Sequence, residues 1–310
     1  MPSATEWAPA LEGALTLLRA AGYEPAGDER FAIGRPDRTA IPLLTRDGRP
    51  AVAKIFPGEQ CARTFANMQA LWCSSFGARR NPAGIPQPLA CFPEVGLLVM
   101  ERLEGEPLAA LSKPGKELFD ESIRLLAELH ASDAKSDKER SARGVVRSAR
   151  RKAARVAALM PQHVAAMQRA VDLLEVGRVG DSELVPSHGD FSPRNILVAP
   201  GRLALIDFDR FQMADPCRDL AYLGTSDWAD ALRRGRRADE GLLKRAVKVY
   251  EAASGKRVSK RRLNFHIAAA LIRRAASLVE LWPAEAWLAP ALCNAAVRVL
   301  ERNQAPAAPR

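Results

Sequence analysis

The chain has 310 residues, 47% of them hydrophobic, with 46 Lys and Arg against 36 acidic residues and a formal charge of +10. That apolar content supports a substantial core and excludes a wholly disordered chain, and no apolar run reaches the length needed to cross a bilayer. Five scattered cysteines (Cys61, Cys73, Cys91, Cys217 and Cys293) make no CxxC pair, which argues for reduced structural thiols over a zinc or redox site.

The opening segment MPSATEWAPALEGALTL has no basic leader followed by an apolar run and a small-residue cleavage site, so a soluble cytoplasmic protein is expected. Phe31 to Gly34, Ala40 to Leu44 and Ala51 to Phe56 are short apolar runs separated by turn formers. Among these the Asp47-Gly48 pair favours a tight hairpin, and together they predict an antiparallel sheet. Cys61, Phe65, Met68 and Trp72 recur at helical spacing and predict one helix packed on that sheet, and Leu97 to Met100 reads as a further buried strand. Gly105 and Pro107 break the pattern between Glu101 and Pro107, a segment suited to connect two lobes. Beyond it, helical periodicity predominates: Phe119, Ile123, Leu126 and Leu129 mark one helix, Ala153 to Val171 a second, and Phe265 to Trp282 and Trp287 to Leu300 the last two. The expected organisation is an α+β fold in two lobes. Residues 1–100 form a small, mainly antiparallel β lobe with one helix, and residues 101–310 a larger, mainly helical lobe.

The chemistry is concentrated between Ser187 and Leu223, SHGDFSPRNILVAPGRLALIDFDRFQMADPCRDLAYL. Ile196 to Val198 and Leu203 to Ile206 flank Pro200-Gly201 and predict a hairpin. Antiparallel pairing with opposed indices summing to 401 or 402 places Asn195 beside Ile206 or Asp207, so two oxygen-bearing side chains converge. Magnesium takes hard oxygen ligands and is commonly held by one or two protein groups together with substrate phosphates, a task that suits Asn195 and Asp207. Asp190 lies five residues before Asn195, the offset between base and metal-binding Asn in the kinase pattern H-R-D-x-x-x-x-N. An Asp there can orient an acceptor hydroxyl and take its proton as the bond to phosphorus develops.

These residues resemble the aminoglycoside phosphotransferase and choline kinase-like group, whose catalytic segment reads much like HGDFSPRN followed by IDFD. Gly189 stands where protein kinases carry Arg, and Asp207-Phe208-Asp209 where they carry Asp-Phe-Gly, both typical of the small-molecule group. LLVMERLEGEPL at 97–108 is similar to the family's hinge, AELH at 127–130 to its helix end, and DPCRDLAYL at 215–223 to its closing segment. The resemblance implies a protein-kinase-like fold and an ATP- and Mg2+-dependent kinase that phosphorylates a hydroxyl of a small molecule such as a sugar, amino alcohol or antibiotic. It implies that the first lobe binds the nucleotide, with Lys54 in AVAKIF on its phosphates and the backbone of Met100, Glu101 and Leu103 at its adenine. In place of a glycine-rich loop, residues 34–39 offer Arg35, Arg38 and Thr39 as direct phosphate contacts. The helix turn where kinases place the lysine's glutamate partner holds Asn67 and Gln69, with Glu59 too close in sequence.

Asp219 is expected to brace the catalytic loop from behind, and His130 and His188 to pack and hydrogen-bond as structural residues. A catalytically impaired kinase-like nucleotide-binding scaffold fits the missing glutamate and the poor phosphate loop, but the intact base and metal residues oppose it. An atypical protein kinase needs a peptide cradle after Asp207, and Asp219 follows too soon to leave room for one. The basic tracts 147–155, 233–237 and 256–262 carry almost no aromatic residues for base stacking, so a nucleic-acid partner is not expected, and without a bilayer-length apolar run neither is a membrane. A net positive charge also speaks mildly against a polycationic acceptor.

Overall fold

The computed structural model describes residues 13–26, 31–32, 39–56, 60–111, 115–226, 228–236 and 240–304. Helix α1 (13–20) is followed by strands β1 (Tyr23–Pro25), β2 (Phe31–Ala32), β3 (Thr39–Thr45) and β4 (Pro50–Ile55), then α2 (Gln60–Trp72), β5 (Pro88–Phe92), β6 (Leu97–Glu101) and β7 (Glu106–Pro107). Helix α3 (Lys116–Ala131), β8 (Glu139–Arg140), α4 (Ala142–Leu159) and α5 (Val164–Val176) lead to β9 (Val185–Ser187), β10 (Ile196–Ala199), β11 (Arg202–Leu205) and β12 (Gln212–Ala214). The helices α6 (Cys217–Gly224), α7 (Trp228–Arg233), α8 (Glu240–Ser254), α9 (Lys260–Leu281) and α10 (Ala289–Gln304) complete the described chain. None of the described helices is long and apolar enough to cross a membrane.

Two compact units emerge. The first takes the residues up to Leu111 together with Ser132–Lys135 and Ile196–Phe211, and the second takes the remainder. The chain therefore returns to its β-rich unit after the first helices. The hairpin β10–β11 does so because β7 pairs with β10 and the Leu205 N–H donates to the Gly84 carbonyl at 2.8 Å.

In the first unit an antiparallel sheet runs in the order β1-β3-β4-β6-β5, with β2 on β3. Gly48, at φ +78°, turns the β3–β4 hairpin as its Asp-Gly pair predicts. A second helix joins the expected one: Ala14 and Leu18, one turn apart on α1, pack with Leu43, Ala53, Leu97 and Val99. Burying a leucine here contributes about 1.5–3 kcal/mol. On α2 the inward stripe is Cys61, Thr64, Met68 and Leu71, so Phe65 and Trp72, expected inside, lie on its margin. The same helix packs against the turn Phe208–Arg210 that follows β11. Gly105, at φ +137°, is required where it stands, because a Cβ there would meet the Val198 carbonyl oxygen at 2.2 Å.

The second unit is helical around α9, which packs against α10, α6, α4 and α5 and buries residues on several of its faces. Its small sheet runs in the order β8-β12-β9. The single helix expected over Ala153 to Val171 is two helices. Pro161 supplies no N–H and disfavours helical backbone at the residue before it, so Met160 sits at φ −142°, ψ 75° and the chain restarts at Val164. At the other end α4 begins at Ala142, where the Ser141 hydroxyl accepts the Gly144 N–H at 3.1 Å. Trp287, expected to begin the last helix, lies exposed in a short 3-10 turn.

Candidate active site

In the β-rich unit the decisive pair is Lys54 and Asp207. Lys54 lies on β4 opposite Ala40 and Leu98, and its ammonium donates to Asp207 Oδ1 at 3.0 Å. The two side chains are 16% and 25% exposed, dry enough for the attraction to count and open enough to be reached. Lys54 thus meets a carboxylate from the far end of the sequence where the kinase pattern supplies one from a helix, and Glu59 lies outside the described residues.

The backbone explains how Asp207 gets there. Strand β10 pairs with β11 as Ile196 with Leu205, Leu197 with Ala204 and Val198 with Leu203, the register summing to 401. Asn195 immediately precedes this hairpin and Asp207 follows it. Asp207 is also the one non-glycine with positive φ among the described residues, at φ 69°, ψ 57°. Left-handed backbone costs a non-glycine roughly 1–2 kcal/mol, although Asp tolerates it better than most. Behind it Phe208 is buried and meets Phe211 edge to face, which fixes the bend.

The hinge residues belong to the same unit. Met100 is buried between Val52 and Pro88. Glu101 is occupied: its carboxylate accepts from the Gln87 N–H and from Arg202, each at 3.0 Å, and its own N–H donates to the Gln87 carbonyl. Leu103 follows in a segment without regular structure. Of Thr39 only the backbone is described, paired with Ala32, and Arg35 and Arg38 lie outside the described residues.

In the helical unit the loop Ser187–Asn195 is built around Asp219. That carboxylate is fully buried and accepts the backbone N–H groups of His188 and Gly189, each at 2.8 Å, and His130 Nε2 at 3.1 Å. Burial acts to raise its pKa, but the hydrogen bond and charge of His130, with His188 and Arg218 beyond, outweigh it and hold the group at about 2. Gly189 turns at φ +79°, a backbone closed to most side chains, and this accounts for glycine at that position. His130 Nδ1 meets the Tyr250 hydroxyl at 2.8 Å, and burial pushes that phenol up.

The loop carries Asp190 and Asn195 together. His188 Nδ1 accepts the Asp190 N–H at 3.3 Å, and the Asp190 carbonyl accepts the Asn195 amide Nδ2 at 2.9 Å. That bond takes the Asn195 amide nitrogen and not its oxygen. Sequence reasoning passed over Arg274 on α9, whose guanidinium feels Arg194 and Asp190; desolvation and Arg194 both lower its pKa. Its Nε is buried with no hydrogen-bond partner among the described residues, as is the Trp228 indole nitrogen. The residues 271–276 read as an apolar helix interrupted by two arginines, and nothing in that pattern marks which arginine turns toward the loop.

A model of the phosphotransferase enzyme family, APH, matches residues 39–255, more than half of the chain. The chain belongs to this family. Among solved structures, the aminoglycoside phosphotransferase APH(4)-Ia is similar at TM-score 0.66 and 18% identity over 94% of this chain and 99% of that one. A thermostable mutant of the same enzyme, in ternary complex with ADP and hygromycin B, gives 0.64 and 19% over 92% and 97%. A choline/ethanolamine kinase family protein from Mesorhizobium loti gives 0.62 and 17% over 94% and 98%. These likenesses establish the protein-kinase-like α+β fold for this phosphotransferase family member. No curated protein sequence matches it.

Proposed function

We propose that this phosphotransferase transfers the γ-phosphoryl group of ATP to a hydroxyl of a small molecule, of the sugar, amino alcohol or antibiotic class, with Asp190 as the base. The observation that carries the reading is the Lys54–Asp207 ion pair, formed by an aspartate held in left-handed backbone. Such strain persists where the surrounding structure enforces it, and functional sites are where it concentrates. A fixed loop carrying Asp190 and Asn195 supports the same reading from the helical unit.

In this reading Lys54 contacts the nucleotide's phosphates, Arg35 and Thr39 add to that contact, and the backbone of Met100, Glu101 and Leu103 meets the adenine. Asn195 and Asp207 offer hard oxygen donors and fit magnesium. No group of three or more His, Cys, Asp or Glu side chains is arranged for a metal among the described residues, so substrate phosphates would complete the shell. When bound, the ion supplies neutralisation of charge on the phosphates. Asp190 orients the acceptor hydroxyl and takes its proton as the oxygen–phosphorus bond forms, while the bond from phosphorus to the leaving ADP breaks. Use of ATP and reduced thiols both suit the cytoplasm.

The test is acceptor-stimulated ADP release over a panel of hydroxylated metabolites and antibiotics, with magnesium present. Asp190→Ala should lower kcat by about 10²–10⁴-fold with ADP binding retained. Equal turnover by wild type, Asp190→Ala and Asp207→Ala would overturn the proposal.

A further inference from the structure

A cleft opens in the helical unit between α4, α6 and α9. Arg140, Lys152, Arg218, His266 and Arg273 line it beside Tyr222, and among the described residues no carboxylate does. Lys152 faces Glu280 at 3.6 Å, and His266 faces Asp215, which is itself paired with Arg262 at 2.9 Å. The three arginines make no ion pair with a described carboxylate. Arg140 instead donates to the Gly144 carbonyl at 3.3 Å, Arg218 to the Gln212 amide oxygen at 3.1 Å, and Arg273 to the Tyr222 hydroxyl.

Tyr222 organises two of these groups. The Arg218 and Arg273 guanidiniums lie 5.2 and 5.1 Å from its ring centroid, within the range of cation–π attraction. Stacking holds a guanidinium without neutralising it and leaves its edge N–H groups to bind an oxyanion in parallel. Burial, and after it the like charges of Arg218, Arg151 and Arg147, act against the charged form of Arg140. Arg262, by contrast, is paired with Asp215 at 2.9 Å, so the cleft gathers three guanidiniums that no carboxylate among the described residues pairs.

We infer that this cleft is a binding site for a tetrahedral oxyanion, a phosphate group, held by Arg140, Arg218 and Arg273. Restricting several rotamer-rich arginines before the ligand arrives lowers the entropy cost of binding. The site stands apart from the phosphotransfer reading, since neither nucleotide nor acceptor enters the argument. Inorganic phosphate and glycerol phosphate carry the same chemistry from two sources, a free anion and a phosphorylated small molecule.

Calorimetric titration of the full chain at low salt, without nucleotide, tests the inference. Both probes should bind and neutral glycerol should not, with tighter binding of glycerol phosphate marking a phosphorylated metabolite and equal binding a free anion. Arg140→Gln and Arg273→Gln should each raise Kd at least about tenfold, the loss of one charge-assisted contact. Ser148→Glu, on the half-buried wall of the cleft, supplies the missing carboxylate and should abolish phosphate binding with no loss of thermal stability. Absence of binding by the wild type, or the same Kd in all three variants, would overturn it.

Discussion

Asp207 and Asp219 stand twelve positions apart, yet the two carboxylates are held in opposite ways. Asp219 is fully buried in the helical unit, with two backbone N–H groups and a histidine on its oxygens. Asp207, in the β-rich unit, sits in left-handed backbone, remains a quarter exposed and takes Lys54 across 3.0 Å. The first arrangement satisfies a charge so completely that nothing further can bind it. The second spends backbone energy to aim a charge that solvent, or a ligand, can still reach. A carboxylate of the first kind determines where a loop lies, and one of the second kind is available for chemistry.

The largest effect that would break this contrast is on stability. Asp219→Ala strands two buried backbone donors and the His130 ring, and should cost about 3–5 kcal/mol in urea unfolding, the range for removing one member of a buried pair. A cost near that of an exposed substitution would mean that the loop holds its shape without the brace.

Acid sharpens the contrast next. A carboxyl held at about 2 in the folded protein, against an ordinary 3.8, contributes its stability in full above about pH 4 and loses it as the pH falls toward 2. The linked free energy is roughly 2 kcal/mol. Between pH 4 and 2 the wild type should therefore lose stability more steeply than Asp219→Asn. Parallel slopes for the two proteins would place the acid sensitivity elsewhere.

The sequence carried the active-site side of this contrast better than the scaffold around it. Pro200-Gly201 and two apolar runs sufficed for the β10–β11 register, because antiparallel pairing is arithmetic once the turn is located. The double helix in place of Ala153 to Val171 was also written, in Pro161, but apolar periodicity continues across the break and masks it. The partner of Lys54 was beyond local reading, since kinase spacing directs attention to α2 whereas the carboxylate comes from the return of the chain at 196–211. The arginine cleft was further still from view. The basic tract 147–155 stands out in the sequence, yet Arg150 pairs with Glu175 and Arg155 faces Glu280, while the cleft's own arginines come from three separated elements.

Removing the basic partner compares the two aspartates on equal terms. His130→Ala leaves the Asp219 charge fully buried and without its basic partner, so its cost should approach that of Asp219→Ala. Lys54→Met keeps most of the lysine stem's volume and removes only the ammonium. Because Asp207 is a quarter exposed, water can take the vacated position, and the loss in urea unfolding should stay below about 1 kcal/mol. The same variant should weaken ADP binding, for the charge it removes is the one proposed to meet the phosphates. If Lys54→Met proves as destabilising as His130→Ala while ADP binding is unchanged, the Lys54–Asp207 pair is a brace like the other, and the distinction drawn from burial and backbone strain fails.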